Sequence, residues 1–302
     1  MANDNFYYDR KFYVNGEKPI RLNDFPTDYT EKYKDEDDAE DRIADIIKQL
    51  NKLQYRLYAE CKYSFLIILQ ATDAAGKDGV LRHVLRGINP QGCQVHSFKS
   101  PTHLELRHDW MWRHYRALPE RGMIGIFNRS YYENVLVTKV HPEFILNENI
   151  PGIESTDRID RVFWDNRYKD IRNFEEMLSR NGTVIMKLFL NMSKDEQARR
   201  FLSRIDEESK NWKISPADFA EREHWDDYRL AFEDMINNTS TPYAPWHVIP
   251  SDHKWFSRVL IAEILMEKMA SLRFITPEVT DEMREKLKGI RKILEKELKK
   301  EK

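Results

Sequence analysis

The segment from residue 65 to residue 79 contains the residue types that bind phosphate. An apolar run over 65–70 ends at small residues that lead to Gly76 and Lys77, and an amphipathic stretch begins at Val80. A strand, a glycine loop and a helix start in this order direct backbone N–H groups and the positive end of the helix dipole toward an anion. The lysine adds a full positive charge, so we predict that this segment holds phosphate.

This loop departs from the usual phosphate-loop pattern, G-x-x-x-x-G-K-[ST], at two positions. Ala71 replaces the first glycine, and Asp78 replaces the hydroxyl residue that binds metal. Asp73 would repel phosphate unless a cation lies between them, and Mg²⁺ favours one or two carboxylates plus substrate oxygens. We therefore expect Mg²⁺ as the cofactor and Asp73 as its ligand. The alternative is a plain turn in which Asp73 caps the next helix.

Length and composition limit the class of protein. The 302 residues suggest one large or two small domains, and we expect a single domain over 1–302. The net charge of -2 predicts no polyanion partner by itself, but eight Lys and Arg face only three acids between residues 80 and 130. A neutral chain with a local basic field favours a discrete anionic substrate over nucleic acid, which we do not expect as a partner.

The cellular setting is inferred from what the sequence lacks. The first residues do not have the charged-then-apolar layout of a secretory signal. No apolar run approaches the roughly 18 residues of a membrane span. The two cysteines have no metal-binding or disulfide spacing. We expect a cytoplasmic protein with no membrane partner.

Strand-like and helical patterns alternate along the chain. The predicted strands cover 65–70, 94–98, 123–127, 183–190 and 246–249. The predicted helices cover 38–60, 80–86, 104–118, 157–180, 194–204, 216–238, 254–272 and 277–299. This order predicts an α/β fold with a parallel sheet flanked by helices on both faces, and ligands beyond the carboxyl ends of the strands. Residues 1–38 form an N-terminal arm, and 277–302 a C-terminal helix that packs on the body or contacts another subunit of a homo-oligomer.

A second polar cluster follows the predicted strand 123–127. In phosphate-loop enzymes such a strand ends in an acid that helps to hold Mg²⁺, but here Asn128 stands at that place and brings no charge. Arg129 would reach the phosphates from the same edge of the sheet, and Glu133 is a substitute acid. The alternative is a helix start capped by Asn128 or Ser130.

The loop and the second cluster together resemble the polyphosphate kinase 2 family. The resemblance covers roughly residues 25–272 and includes segments 89–92, 110–115, 141–142 and 246–250. It implies a phosphate-loop kinase fold with a mobile helical lid at 193–215. It also implies reversible, Mg²⁺-dependent transfer of the terminal phosphate of inorganic polyphosphate to AMP and/or ADP. With Asn128 at this position, the chain resembles the subgroup of the family that acts on both nucleotides.

The resemblance also implies roles for individual residues. Asp73, Lys77 and Arg129 correspond to the catalytic loop carboxylate, the phosphate-binding lysine and a phosphate-contacting arginine. Arg200 and Arg204, one helical turn apart in the lid, would clamp phosphates and neutralise charge. Without the resemblance, the alternative is a solvated amphipathic helix whose arginines pair with Asp195 and Glu196. The other expected phosphate- or nucleotide-binding residues are Ala74, Ala75, Gly76, Asp78, Gly79, Arg82, Asn128 and Glu133.

Two other functions share these features. An ATP-dependent nucleotide or small-metabolite kinase would have the same loop and lid, so that only the phosphate donor separates it from the first interpretation. A non-catalytic module that binds polyphosphate or nucleic acid is favoured by the uncharged Asn128.

Overall fold

The central element of the fold is a mostly parallel β-sheet. A computed structural model of the chain describes residues 10–300, and within them six strands form one sheet in the order β1-β6-β5-β2-β4-β3. The strands are β1 (Tyr13–Val14), β2 (Ser64–Gln70), β3 (Cys93–Ser97), β4 (Ile124–Asn128), β5 (Thr183–Asn191) and β6 (Trp246–Pro250). Strands β2 to β6 are parallel, whereas β1 pairs antiparallel with β6 at the edge.

Helices connect and cover these strands. The α-helices are α1 (Glu36–Glu60), α2 (Lys77–Val84), α3 (Trp112–Tyr115), α4 (Glu133–Val140), α5 (Arg161–Arg180), α6 (Lys194–Asp206), α7 (Pro216–Glu223), α8 (Trp225–Thr239), α9 (Lys254–Ser271) and α10 (Asp281–Lys300). Short 3-10 helices lie at Arg10–Phe12, Leu22–Asp24, Pro90–Gly92, Glu105–Arg107, Pro142–Glu148, Thr156–Arg158 and Glu208–Lys213.

Both faces of the sheet are buried, as predicted. Along β2, Phe65, Ile67 and Leu69 enter a core shared with α1, α2 and α9, whereas Leu66 and Ile68 enter a second core shared with α4, α5 and α8. Successive strand side chains point to opposite faces, so a strand covered on both sides must be apolar throughout. The predicted α/β fold is thereby confirmed. None of the helices described has an apolar stretch long enough to cross a bilayer.

The strand register brings the two polar segments together. Strand β2 lies between β4 and β5, and Leu69 pairs with Asn128. The backbone N–H of Arg129 donates to Leu69 O at 3.1 Å. The residues that follow β2 and β4 therefore begin side by side at the carboxyl edge of the sheet.

Three helix predictions need correction. The predicted helix 104–118 is only a 3-10 turn and the short α3, because the Asp109 carboxylate accepts the backbone N–H of Met111 (2.9 Å) and starts a new turn there. The predicted helix 216–238 is two helices that meet at His224. The predicted helix 157–180 begins at Arg161, where the Asp160 side chain caps the N–H of Phe163 (2.9 Å).

The chain ends also differ in part from expectation. Residues 1–9 of the predicted arm lie outside the described residues, and the remainder contributes β1, which the sequence pattern did not predict. The predicted lid 193–215 is helical, and helical structure continues through α7 to Glu223. Helix α10 exposes a row of apolar side chains, each 48–68% accessible: Met283, Leu287, Ile290, Leu294 and Leu298. A subunit contact through this helix stays a prediction.

A fully buried ion pair anchors the segment after β4. Lys187 Nζ lies 2.7 Å from Glu175 Oε2, and both side chains are inaccessible to solvent. The other Glu175 oxygen accepts the hydroxyls of Tyr131 (2.8 Å) and Tyr132 (2.7 Å). Lys187 also donates to Tyr132 OH and to Thr239 O. Because these tyrosines directly follow Arg129 and Ser130, the pair fixes the backbone that carries Arg129.

We predict that Lys187→Met destabilises the protein by about 3–5 kcal/mol, because it leaves Glu175 buried without a partner. The measurement is urea unfolding at neutral pH. The control is Arg180→Met, which removes an exposed pair with Glu176 (3.8 Å) and should change stability by less than about 0.5 kcal/mol. Equal losses in the two variants would contradict a special role for the buried pair.

Candidate active site

The loop between β2 and α2 has the backbone shape of an anion cradle. Ala74 and Gly76 adopt positive φ angles of 65° and 110°. Helix α2 begins directly after Gly76, and no side chain caps its N-terminus. The first N–H groups of a helix have no partner within the helix, so these amides are available to an anion. A left-handed alanine is strained, and such strain is concentrated at functional sites.

Lys77 lies inside this loop rather than extending away from it. Its Nζ donates to Ala71 O at 2.9 Å and to Thr72 O at 3.3 Å. Burial lowers the pKa of Lys77, and the neighbouring Arg129 guanidinium lowers it further. A bound anion would raise the pKa of Lys77 again, so the position of this lysine suits an anionic ligand.

Arg129 joins the loop to the second cluster through two carboxylates. Its guanidinium lies 2.7 Å from Asp73 and 3.6 Å from Glu133. Arg129 itself has a positive φ of 62° directly after β4. Burial alone would lower the pKa of Arg129, but Glu133 and Asp73 hold it above its usual value. The structure thus brings Asp73, Lys77 and Arg129 into one electrostatic cluster.

Glu133 is a largely buried carboxylate of this cluster. Burial raises the pKa of its carboxyl, against the opposing effect of Arg129 and Lys77. The Gln70 amide donates to Glu133 Oε1 at 2.8 Å, and its oxygen accepts from Ser130 Oγ at 3.0 Å. No sequence pattern singled out Gln70, which is the last residue of the predicted strand 65–70.

Asn128 and Asp78 face each other beside the loop. Asn128 Nδ2 donates to Asp78 Oδ1 at 3.2 Å, whereas the buried Asn128 Oδ1 has no hydrogen-bond partner among the residues described. Buried polar atoms usually have partners. This oxygen is therefore open to a ligand.

Arg200 occupies a place that the sequence did not predict. It is buried, and all five N–H donors of its guanidinium are used: one by Glu196 and four by the carbonyls of Ala74, Ala75, Ser251 and Asp252. An arginine with no free donor does not clamp phosphate, so the expected direct contact is not supported in this arrangement. Arg204 is partly exposed, with its guanidinium 5.8 Å from the Phe201 ring.

The remaining predicted residues lie on or beside α2 and the loop. Ala75 is buried in the core, and Arg82 is exposed on α2. A side chain at Gly79 would meet the guanidinium of Arg258 at 3.8 Å, which shows how close helix α9 comes to this turn.

A cavity of about 310 Å³ adjoins Arg129 and Glu133. Its walls are mixed: Phe98, Trp110 and Phe144 are aromatic, and Glu105, Arg113 and Glu148 are charged. Glu148 is fixed by the buried Arg167 (2.5 Å), whose guanidinium stacks 4.5 Å from the Trp110 ring. Volume and lining are typical of a small-molecule site. Sequence patterns did not predict a role for Glu148 or Arg167, because both come from segments with no polar motif.

Comparison with known proteins identifies the family. The family model described as Polyphosphate kinase 2 (PPK2) matches residues 33–275. The chain belongs to the polyphosphate kinase 2 family. The family resemblance predicted from the loop and the second cluster is thus confirmed.

Members of the polyphosphate kinase 2 family match nearly the whole chain. The ADP-polyphosphate phosphotransferase of Rhodopseudomonas palustris is 46% identical over 285 residues, covering 94% of this chain and 98% of the relative. The AMP/ADP-polyphosphate phosphotransferase of Meiothermus ruber is 40% identical over 270 residues, covering 89% and 96%. The crystal structure of Polyphosphate Kinase 2 from Arthrobacter aurescens TC1 is similar with a TM-score of 0.77 at 37% identity, covering 87% and 88%.

We predict that Lys77→Met weakens binding of tripolyphosphate, used as an anionic probe, by at least about tenfold. The substitution removes the central charge and leaves the carbonyls of Ala71 and Thr72 without their donor. Isothermal titration calorimetry checks the result. The control is Lys52→Met on the exposed side of α1, for which we expect wild-type affinity. Wild-type affinity in Lys77→Met would show that the anion binds elsewhere.

Proposed function

We propose that this protein transfers the terminal phosphate of inorganic polyphosphate to ADP and/or AMP, reversibly. The observation that carries the proposal is the meeting of Asp73, Lys77 and Arg129 at one phosphate loop, next to a cavity of small-molecule size. The two relatives named above, one an ADP- and the other an AMP/ADP-polyphosphate phosphotransferase, support the same donor and acceptors.

In this proposal the cavity holds the nucleoside part of the acceptor. It opens beside Arg129, so a nucleotide with its base among Phe98, Trp110 and Phe144 directs its phosphates toward the loop. Aromatic side chains stack on any base, and Glu148 offers an acceptor for an exocyclic amine. The acceptor phosphate and the donor phosphate then meet between Lys77 and Arg129.

Mg²⁺ is the proposed cofactor, and the donor groups of the site fit it. Asp73 supplies one carboxylate, and Asn128 Oδ1, which has no hydrogen-bond partner among the described residues, supplies a neutral oxygen. In the described part of the chain no group of three or more His, Cys, Asp or Glu could hold a metal alone. Magnesium typically takes one or two carboxylates and completes its shell with phosphate oxygens and water. When bound, it would neutralise phosphate charge.

The protein's own contribution is alignment and positive charge. Phosphoryl transfer needs little covalent chemistry from the enzyme, so no covalent intermediate is required. Lys77 neutralises charge from within the loop, and Arg129 does so from the end of β4. Glu133 holds Arg129 in position, and the amides at the start of α2 bind oxygens of the donor.

We propose that the distal part of polyphosphate lies on the other side of the loop, over Arg82, Lys254 and Arg258. Arg258 approaches Gly79 closely at the start of α9. Burial lowers the pKa of Lys254, and the nearby Arg200 lowers it further. Burial also lowers the pKa of Arg258, against the effect of two acids of α1. Crowded, partly buried cations next to the loop suit a continuing chain of phosphates.

We propose that the protein acts as a single domain in the cytoplasm and has no nucleic-acid partner. The exposed apolar row of α10 supports a homo-oligomer.

We predict that the purified protein with Mg²⁺ converts ADP or AMP to the next higher nucleotide with polyphosphate as the donor. Chelation of the metal by EDTA should abolish the reaction. Asp73→Ala should lower kcat by at least about 10³-fold with the fold intact, because Arg129 loses its partner and the metal its carboxylate. Coupled nucleotide assays and circular dichroism measure both effects.

The same assay separates the rival functions. Transfer from ATP but not from polyphosphate would favour the ordinary kinase. Binding of polyphosphate without turnover, with steep salt dependence, would favour the non-catalytic module. Wild-type activity in Asp73→Ala would contradict its catalytic role.

We predict that Arg258→Ala raises the KM for polyphosphate of many phosphates by about 3- to 10-fold and leaves the KM for tripolyphosphate unchanged. A short donor ends within the loop, whereas a long one continues over α9. Steady-state kinetics with the two donors check this, with Arg180→Ala on the far end of α5 as the control. Equal effects on both donors would place Arg258 at the loop itself.

A further inference from the structure

Five consecutive carbonyl groups of the phosphate loop, from Ala71 to Ala75, each accept a hydrogen bond from a side chain. Lys77 donates to the first two. The other three donors come from a different element, helix α6 of the predicted lid. Gln197 Nε2 donates to Asp73 O at 3.0 Å, and Arg200 Nη1 donates to Ala74 O at 3.1 Å and to Ala75 O at 2.8 Å.

The α6 side chains are themselves held in place. Arg200 and Gln197 are 5% and 4% accessible, so their geometry is set by packing. The second terminal nitrogen of Arg200 donates to Ser251 O and Asp252 O, at the end of β6. Gln197 Oε1 accepts from Arg222 of α7 at 2.7 Å. The loop is thereby tied to β6, α6 and α7 at once.

These bonds determine which way the loop peptides face. A carbonyl turned toward phosphate would repel it, and its N–H would point away. With every carbonyl from Ala71 to Ala75 engaged by a side chain, none of these carbonyls turns toward the phosphates. The Ala75 N–H is engaged as well, since it donates to Thr72 O at 3.4 Å. Ala74 keeps its unfavourable positive φ under the same restraint.

We infer that Gln197 and Arg200 are positioning residues that hold the phosphate loop in its anion-receiving shape without touching the phosphates. Because both belong to α6, the base of the lid and the loop move as one unit. The kinetic part of this inference rests on the proposed polyphosphate transfer, but the effect on loop shape does not.

Two conservative substitutions separate positioning from direct charge contact. Gln197→Met keeps the length of the side chain but removes the donor to Asp73 O, and it changes no charge. Arg200→Lys keeps the charge but cannot serve four carbonyls and Glu196. If Arg200 contacted phosphate directly, Arg200→Lys would keep part of the activity and Gln197→Met would keep all of it.

The experiment measures steady-state kinetics and, without any substrate, hydrogen–deuterium exchange of peptides that cover residues 71–79. We expect kcat to fall by about 10- to 100-fold in both variants, since small misplacements of reacting groups have effects of this size. We also expect faster exchange in the loop peptides that contain Ala75, whose N–H donates to Thr72 O at 3.4 Å, and unchanged exchange in β2 and β5. The control is Gln49→Met on the exposed face of α1, with wild-type behaviour in both measurements.

Either of two results would overturn the inference. One is wild-type kcat in Gln197→Met; the other is wild-type exchange of the loop in both variants. If Arg200→Lys fails to fold, Gln197→Met alone decides, because it changes no charge and removes only the donor to Asp73 O and the acceptor of Arg222. If the wild-type protein transfers no phosphate, the proposed function fails, while the exchange measurement still tests the positioning of the loop.

Discussion

The parallel pairing of β2 with β4 is the constraint on which the site depends. It places the residue after Gln70 and the residue after Asn128 at one edge, so that Asp73 and Arg129 meet at 2.7 Å although they are far apart in sequence. A shift of the register by one residue would turn Arg129 to the other face of the sheet. The buried bond between Lys187 and Glu175 secures the same region from below through Tyr131 and Tyr132.

The loop holds a buried lysine beside a second cation. Burial lowers the pKa of Lys77 and the nearby Arg129 lowers it further, and the three acids of the site only partly compensate. Two non-glycine residues with positive φ, Ala74 and Arg129, stand at the two strand ends that meet here. Strain and like charge at the same point indicate a site shaped for its ligand at some expense of stability.

Local patterns predicted the five parallel strands and the proximity of Asp73, Lys77 and Arg129, but neither β1 nor the long-range side-chain contacts. The strand patterns predicted the five parallel strands to within one residue. Strands β2, β4, β5 and β6 are mostly apolar because both of their faces are buried, whereas the edge strand β3 is largely exposed. The two motifs predicted Asp73, Lys77 and Arg129 because strand order places their loops together. Arg200 was assigned to phosphate because spacing on a helix shows which face a residue shares, but not what packs against that face. Glu148 is held in the cavity by Arg167 of α5 and Asn134 of α4, two partners from other helices.

Strand β1 is only two residues long, but it covers the outer edge of β6. Tyr13 and Val14 pair with His247 and Trp246, whose backbone groups would otherwise face solvent beside a buried apolar strand. Gly16 allows this close passage, since any side chain there would collide with Ser240 O. An uncovered edge of this kind is a template for intermolecular strand pairing. Tyr13 and Val14 therefore occupy an edge of the sheet at which another strand could otherwise pair.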